Sequence, residues 1–510
     1  MTFFKSIFTF GKRLLKFVFA CVFVAALAWC IANSIDEAPT SQAVLLREPV
    51  AHDVPDAANA WLYLLGLGAA EGEDPIAVGR RRLALYEARA RQIPMPPVTE
   101  EEKTLAAGHT PFALSIGAGD KGKEICDTRK SECMAWSAEQ ATWLTQLAAS
   151  NALRLQRYET LLGMTEIDNL ATPRVDVDVL ITNLGAPNRL YLALIARDVS
   201  MGGNISQSLR RLRKSAAFWQ RVAAQGQALI LKQVAEVLLE QHWRLLDEII
   251  AQLSMDQLRA MQPEIDAILQ PASPQQRDWY PTIKHEYAVQ SHVFEDAFHS
   301  PFNSFKLCTR NDAVKLKSCL FDLLASSAYL PNATHNLMAS YHFKVAKLST
   351  APFREYLAQK KEFEASLIQY YPLASTESSL RMLAYNGVGK ILFATFIVGR
   401  DNMNAAVASA KNGVRNKPAF HCVVCLYIER QHDREALRRM LVIKQNARVQ
   451  GISNAQMPRF LKRQDEALRN PYTGEPFEWS GAKNEMHVTP LAEHSPGARF
   501  YVKFHQTPIK

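Results

Sequence analysis

The feature that most constrains this 510-residue chain is an apolar run near its start, residues 14–35, with the sequence LLKFVFACVFVAALAWCIANSI. A helix needs about 20 such residues to cross the hydrocarbon core of a bilayer. Basic residues precede the run, and Asp36 and Glu37 follow it, so the positive-inside rule places the N-terminus in the cytosol. The sequence therefore predicts a single-pass signal anchor. Residues 1–13 would form a cytoplasmic basic tail, and the bulk of the chain would be translocated.

Two alternatives to an uncleaved anchor stay open. Ala26 and Ala28 form an A-x-A pattern of the kind that signal peptidase cleaves, but the apolar run continues past this point. The residues around Cys30 also look like a bacterial lipoprotein signal, although Trp29 stands where that signal has a small residue. The continuity of the apolar run favours the anchor.

The rest of the chain has the composition of a globular, helix-rich protein. It is 48% hydrophobic and 21% charged, with only 22 glycines, and its long Leu/Ala/Arg/Glu/Gln stretches favour helix over sheet. The net charge is +9 at pH 7, but four of these charges come from cations that precede Asp36. The remainder is only mildly basic, so the sequence predicts no nucleic-acid partner.

The clearest helical pattern lies between residues 186 and 269, where apolar positions recur in four successive segments. Ser254 and Gln257 predict a capping box at the start of the fourth. The C-terminal end differs, because turn residues there alternate with short strand-like segments. The predicted fold is mostly α, divided into a flexible stalk at 36–58, a helical region at 59–300, a cysteine-containing excursion at 301–350, a second helical region at 351–470 and a small β element at 471–510.

Six cysteines lie beyond the apolar run, in three close pairs. Two of these pairs bracket polar loops and are disulfide candidates in an oxidising compartment. Buried free thiols are the alternative for both pairs. The candidate pairs are Cys126 with Cys133 and Cys308 with Cys319.

The third pair, Cys422 and Cys425, has the C-x-x-C spacing of redox motifs. Its surroundings, AFHCVVCLYIER, are apolar and favour an unreactive helix core. A zinc site that adds His421 and His432 is disfavoured, because adjacent residues on one helix point in different directions.

One helix, around KHEYAVQSHVFEDAFH, concentrates histidines and carboxylates. Its three histidines recur every seven residues, about 10 Å apart along the axis, which is too far for neighbours to share a metal ion. Two pairs have the i,i+4 spacing of ligands, but they point to neighbouring faces, so an ordinary polar helix face is the alternative. The metal candidates are His292, Glu295, Asp296 and His299, and the sequence predicts no cofactor.

Several scattered stretches carry a resemblance. NAWLYLLGLGAAEGEDPIAVGR, QRYETLLGM, YLPNATHNLMASY, AYNGVGKIL and RNPYTGEPFEW resemble signatures of single-pass inner-membrane proteins of Gram-negative bacteria that have no assigned activity. The resemblance covers most of the predicted translocated part. It implies a periplasmic location and no reaction.

Two functions are therefore expected from the sequence. The first is a membrane-tethered helical scaffold or binding protein in the periplasm, attached to the inner membrane through residues 14–35, with an unknown protein or envelope component as its partner. The alternative is a cell-envelope hydrolase whose unrecognised site, with or without a metal ion, lies on the histidine-rich helix. The common catalytic motifs are absent from the sequence, and this favours the first function.

Overall fold

The computed structural model describes residues 16–24, 27–28, 31, 35–48, 50, 53–92, 95–102, 124–129, 132–174, 184–298, 329–367, 422–491 and 500–504. The chain divides into two compact units. Unit 1 comprises Met1–Glu48, Gln290–Phe343 and Lys361–Cys422, and unit 2 comprises Pro49–Val289, Lys344–Lys360 and Val423–Lys510.

The described part of the chain is mostly helical, as the composition predicts. Its helices are α1 (Ser41–Arg47), α2 (Ala60–Leu65), α3 (Pro75–Ala90), α4 (Cys133–Glu139), α5 (Ala141–Ser150), α6 (Ala152–Leu161), α7 (Gly185–Ser200), α8 (Ile205–Gln225), α9 (Leu229–Gln252), α10 (Met255–Ile268), α11 (Pro274–Arg277), α12 (Tyr280–Phe298), α13 (Pro331–Ser349), α14 (Phe353–Ser366), α15 (Val423–Val449) and α16 (Met457–Lys462).

Helices α7 to α10 are the four segments predicted between residues 186 and 269, and they form the centre of unit 2. The predicted capping box is present: Gln257 N donates to Ser254 Oγ at 3.2 Å, and Ser254 N donates to Gln257 Oε1 at 2.9 Å. Large side chains such as Trp219 and Leu245 are fully buried between these helices. Burial of this apolar face stabilises the block by about 25 cal/mol for each Å² removed from water.

Helices α2 and α3 cross very closely. A Cβ atom at Gly66 would overlap the carbonyl oxygen of Pro75, and one at Gly79 would overlap that of Leu62. Both positions require glycine because the two backbones touch. Asn59 begins α2 by accepting a hydrogen bond from Trp61 N at 3.0 Å.

The C-terminal element is a three-stranded antiparallel sheet in the order β1 (Glu478–Ser480), β2 (Glu485–Val488), β3 (Phe500–Lys503). Met486 pairs with Trp479 on one side and Val502 on the other. Met486 and Val502 are fully buried in the core of unit 2. The small β element predicted at the C-terminus is thus present.

Helix α15 carries buried charges that the sequence pattern did not single out. Arg434 lies 2.7 Å from Glu236 of α9, and Glu435 contacts Arg438 and Arg439 at 2.7 and 2.8 Å. Paired carboxylates and guanidinium groups avoid much of the desolvation cost of isolated buried charges. The helix is therefore an ion-paired element of unit 2.

Two of the predicted segments contain helices. Within residues 36–58, predicted as a stalk, α1 occupies 41–47 and a 3₁₀ turn occupies 56–58. The predicted excursion at 301–350 contains helix α13 over Pro331–Ser349. In both places short polar caps and a few buried apolar residues build local structure that composition alone does not reveal.

The predicted anchor is only partly described. Residues 16–24, 27–28 and 31 are helical, and their side chains are exposed. Across the ranges that the structure covers, no helix combines the length and the apolarity needed to cross a membrane. The anchor at 14–35 therefore stays a prediction.

Candidate functional site

The histidine-rich helix, α12, brings a serine against a histidine of α13 in unit 1. Ser291 Oγ lies 3.1 Å from His335 Nδ1, within hydrogen-bond distance. Both side chains are buried, with His335 only 1% exposed. We call Ser291, His335 and the charged groups around them the unit 1 cluster.

The metal candidates on α12 form a pair and not a ligand set. His292 Nδ1 lies 3.0 Å from Glu295 Oε2, and both side chains are partly buried. Asp296 is also partly buried, whereas His299 lies outside the described residues. No group of three His, Cys, Asp or Glu side chains that could hold a metal ion is present among the residues with described positions.

Charges from two chain segments, residues 36–47 and α12, act on His335. Burial lowers the pKa of His335 to about 4, and the positive charge of Arg47 on α1 also lowers it. The carboxylates of Glu295 and Asp36 oppose this effect and raise the pKa. His335 is therefore neutral at pH 7, and a neutral imidazole within hydrogen-bond distance of a hydroxyl can accept its proton.

Asp36 reaches this cluster because it caps α13. Its carboxylate accepts hydrogen bonds from Asn332 N at 2.7 Å and Ala333 N at 3.0 Å. These are donors of the first helical turn, which have no partner within the helix, and a negative charge there also interacts favourably with the helix dipole. The acid that follows the predicted anchor is thus fixed to a helix almost 300 positions away in the chain.

Asn336 holds the next residues. Its Nδ2 donates to Ala38 O at 2.9 Å and to Glu37 Oε2 at 3.3 Å, and its Oδ1 accepts from Thr40 N at 2.8 Å. Asn336 lies one turn beyond Asn332 on α13. The amide therefore fixes the path of residues 37–40.

The sequence prediction missed Asp36, Ser291 and His335 as members of one cluster. In the sequence, Asp36 is a charge that follows the apolar run, and His335 lies within a stretch that carries the resemblance. Ser291 directly precedes the candidate His292, which is the one local signal available. Nothing in helical spacing indicates that α12, α13 and residues 36–47 meet.

His285, the first histidine of this helix, has a separate environment in unit 2. Its Nε2 lies 3.2 Å from Asn169 Nδ2, and its Nδ1 lies 3.6 Å from Glu286. It is buried at 8% exposure. These contacts are typical of a histidine in a protein core.

The predicted pair Cys126 and Cys133 is a disulfide. The loop that it closes is fixed to α9, because Thr128 Oγ1 donates to Gln241 O at 2.9 Å and Gln241 Nε2 donates to Asp127 Oδ1 at 3.3 Å. Cys308 and Cys319 lie outside the described residues.

A carboxylate of α9 supports the same loop. Glu248 accepts hydrogen bonds from Cys133 N at 3.0 Å and Met134 N at 2.7 Å. Burial raises the pKa of Glu248 to about 7, although the two backbone donors act in the opposite direction. The start of α4 is thereby attached to α9 through a group that titrates near neutral pH.

Cys422 and Cys425, for which the sequence favours an unreactive helix core, are both disulfide-bonded. Cys422 directly precedes α15, and Cys425 lies in its first turn. The discounted zinc site also included His421, which lies outside the described residues.

A small polar cavity of about 270 Å³ lies where α7 turns into α8. Asp198 and Arg211 line it, and they form an ion pair at 3.0 Å. Arg211 also lies over the ring of Tyr191, 4.9 Å from its centroid. Because these charges satisfy each other, the cavity has little excess charge with which to attract a ligand.

No protein-family model, curated protein or solved structure matches this chain. The candidate site therefore rests on its own geometry.

Proposed function

We propose that this protein is a membrane-tethered scaffold or binding protein of the bacterial periplasm, attached to the inner membrane through residues 14–35. The observation that carries the proposal is the disulfide between Cys126 and Cys133. Disulfides persist in oxidising compartments and are rare in the cytosol. A disulfide in unit 2 supports translocation of the chain, the result that the positive-inside rule predicts.

The exposed side chains near the N-terminus give further support. Phe17, Phe19 and Phe23 are each more than 60% exposed within the described helical part of the apolar run. Aromatic and aliphatic side chains at this density are costly to leave in water. A bilayer would remove that cost.

The helical body supports binding more than catalysis. In the ranges covered by the structure, the buried ionisable groups of unit 2 that are in close contact, such as Arg434 with Glu236 and Lys444 with Asp247, form ion pairs between helices. Such pairs fix helix positions. We propose an envelope protein or another envelope component as the partner, and we assign no cofactor.

Fusions after residue 60 test the topology. Alkaline phosphatase folds only where disulfides form, and green fluorescent protein exported by the same route stays dark. An active phosphatase with a dark fluorescent fusion is expected in a Gram-negative host. The matched control deletes residues 14–35 and should reverse both signals. Fluorescence from the intact fusion would contradict the proposal.

A second candidate function is a cell-envelope hydrolase, favoured by the hydrogen-bond contact between Ser291 and His335. A neutral histidine can activate a serine hydroxyl as a nucleophile. Glu295 and His292 lie close enough to influence the charge of His335. The burial of both partners weighs against this function, because a substrate must reach the serine.

A fluorophosphonate probe distinguishes the two functions, since it labels activated serines. If the hydrolase function holds, the full chain in membranes is labelled, and Ser291→Ala removes the label. Ser215→Ala is the matched control, because Ser215 makes the same kind of contact with His242. Absence of labelling, or labelling that survives in Ser291→Ala, would eliminate Ser291 as the nucleophile.

A further inference from the structure

The segment between the predicted anchor and α1 has a fixed path. Residues 36–40 make five hydrogen bonds with α13, through Asn332, Ala333 and Asn336. A segment held at so many points cannot act as a flexible tether. Thr40, the residue before α1, is thereby fixed to α13.

Helix α1 continues this fixed path. Thr40 begins the helix by accepting a hydrogen bond from Ala43 N at 3.2 Å. Ala43 and Leu46 face inward, with exposures of 0% and 2%. One side of the helix is therefore buried against the protein.

The exposed side of α1 carries two aliphatic side chains among polar ones such as Ser41 and Arg47. Val44 is 49% exposed and Leu45 is 42% exposed, and Ile35, at the end of the apolar run, is 69% exposed. Aliphatic side chains exposed beside polar ones are typical of helices that lie at a membrane interface. Val44 and Leu45 give α1 an apolar surface nine and ten positions after the last residue of the predicted anchor.

The position of this surface identifies what covers it. Five extended residues span at most about 17 Å, so α1 starts within that distance of the end of the anchor. The headgroup region adds about 5–8 Å on each side of the hydrocarbon core. Because the anchor already holds the chain at the bilayer, the insertion of two aliphatic side chains needs little further free energy.

We propose that α1 lies on the periplasmic surface of the membrane that residues 14–35 cross, with Val44 and Leu45 inserted among the lipid headgroups. This inference rests on the proposed membrane attachment and deepens it. The lipid surface is the partner of α1, and unit 1 is held at a defined orientation on the membrane.

Photo-crosslinking of the full chain tests the proposal. p-Benzoylphenylalanine is placed singly at Leu45, at Phe19 within the apolar run, and at Leu153, which is 37% exposed in unit 2. Each protein is reconstituted into vesicles of phosphatidylethanolamine and phosphatidylglycerol and irradiated. Mass spectrometry then identifies the adducts.

Lipid adducts at Leu45 and Phe19, with none at Leu153, are the expected result. Lipid adducts at Phe19 without any at Leu45 would overturn the placement of α1 and leave the membrane attachment intact. Crosslinks from Leu45 to a second copy of the chain would also overturn it, in favour of a protein interface. Absence of lipid adducts at Phe19 would overturn both proposals.

Discussion

Each unit of the molecule contains a buried histidine in contact with a serine. In unit 2, His242 Nε2 lies 2.7 Å from Ser215 Oγ, and its Nδ1 lies 2.6 Å from Leu238 O. In unit 1, His335 Nδ1 lies 3.1 Å from Ser291 Oγ. Burial lowers the pKa of both histidines to about 4. By contact and by pKa the two pairs are nearly equivalent.

Their surroundings separate them. His242 lies between α8 and α9, where a backbone carbonyl opposes the effect of burial on its pKa. His335 is also influenced by the charges of Arg47, Glu295 and Asp36, which two chain segments bring together. A contact between serine and histidine therefore does not identify a reactive site by itself. The charged groups around the serine and the histidine indicate whether such a pair can react.

The largest expected effect comes from removal of the enclosed histidine. His242→Ala leaves Ser215 without this partner and opens a cavity between α8 and α9, which should destabilise the chain by about 3 kcal/mol. Urea unfolding of the full chain in nanodiscs measures the change. His335→Ala provides the comparison and should cost less, because nearby charged groups can recruit water into the gap. An equal or larger loss for His335→Ala would remove the distinction between the two sites.

Removal of the Cys126–Cys133 disulfide tests whether a change in unit 2 alters the pKa of His335 in unit 1. The double variant Cys126→Ser with Cys133→Ser releases a loop of eight residues, for which the chain-entropy model gives about 2.5 kcal/mol. The loop contacts Gln241, directly before His242. We expect lower stability and an unchanged pKa of His335, measured by urea unfolding and by NMR titration. A shift in the pKa of His335 would show that the disulfide influences the unit 1 cluster.

A smaller effect is expected at the cap of α13. Asp36→Ala removes the acceptor for Asn332 N and Ala333 N and should cost about 1 kcal/mol, a typical value for loss of a helix cap. Hydrogen exchange should accelerate across residues 36–47 and in the first turn of α13. Asp53→Ala is the matched control from an exposed position. Unchanged exchange in Asp36→Ala would contradict the fixed path of this segment.

The smallest effect concerns the charge on α1. Arg47→Gln removes a positive charge that lowers the pKa of His335, so this pKa should rise toward the ordinary value of 6.5. A histidine with a lowered native pKa binds its proton more readily in the unfolded state, so stability falls as pH decreases from 6.5 to 4. The variant should weaken this dependence. NMR titration of His335, with His242 as the internal control, measures both responses.

Local sequence signals predicted much of unit 2. The apolar periodicity of α7 to α10 and the capping box of Ser254 and Gln257 are encoded within a few residues of each other. The glycine contacts between α2 and α3 were not predictable in the same way. Only the fold shows that the two backbones touch at Gly66 and Gly79.

The residues of the unit 1 cluster are far apart in the sequence, so local patterns did not predict the cluster. Asp36 and Asn332 are 296 positions apart, and Ser291 and His335 are 44 apart. Helical spacing predicts which residues share a face, but it does not predict which faces pack together. The charged flank of the apolar run and the histidine-rich helix were therefore interpreted separately, although the structure brings both to one cluster.

Disulfide mapping of the full chain, expressed in a Gram-negative host and acid-trapped without reductant, tests the central claim most directly. If the chain is translocated, mass spectrometry will find a peptide that joins Cys126 to Cys133 and separates on reduction. The same peptide should be missing in cells that lack the periplasmic oxidation system. Recovery of both cysteines as free thiols in wild-type cells would contradict the periplasmic location and the function proposed from it.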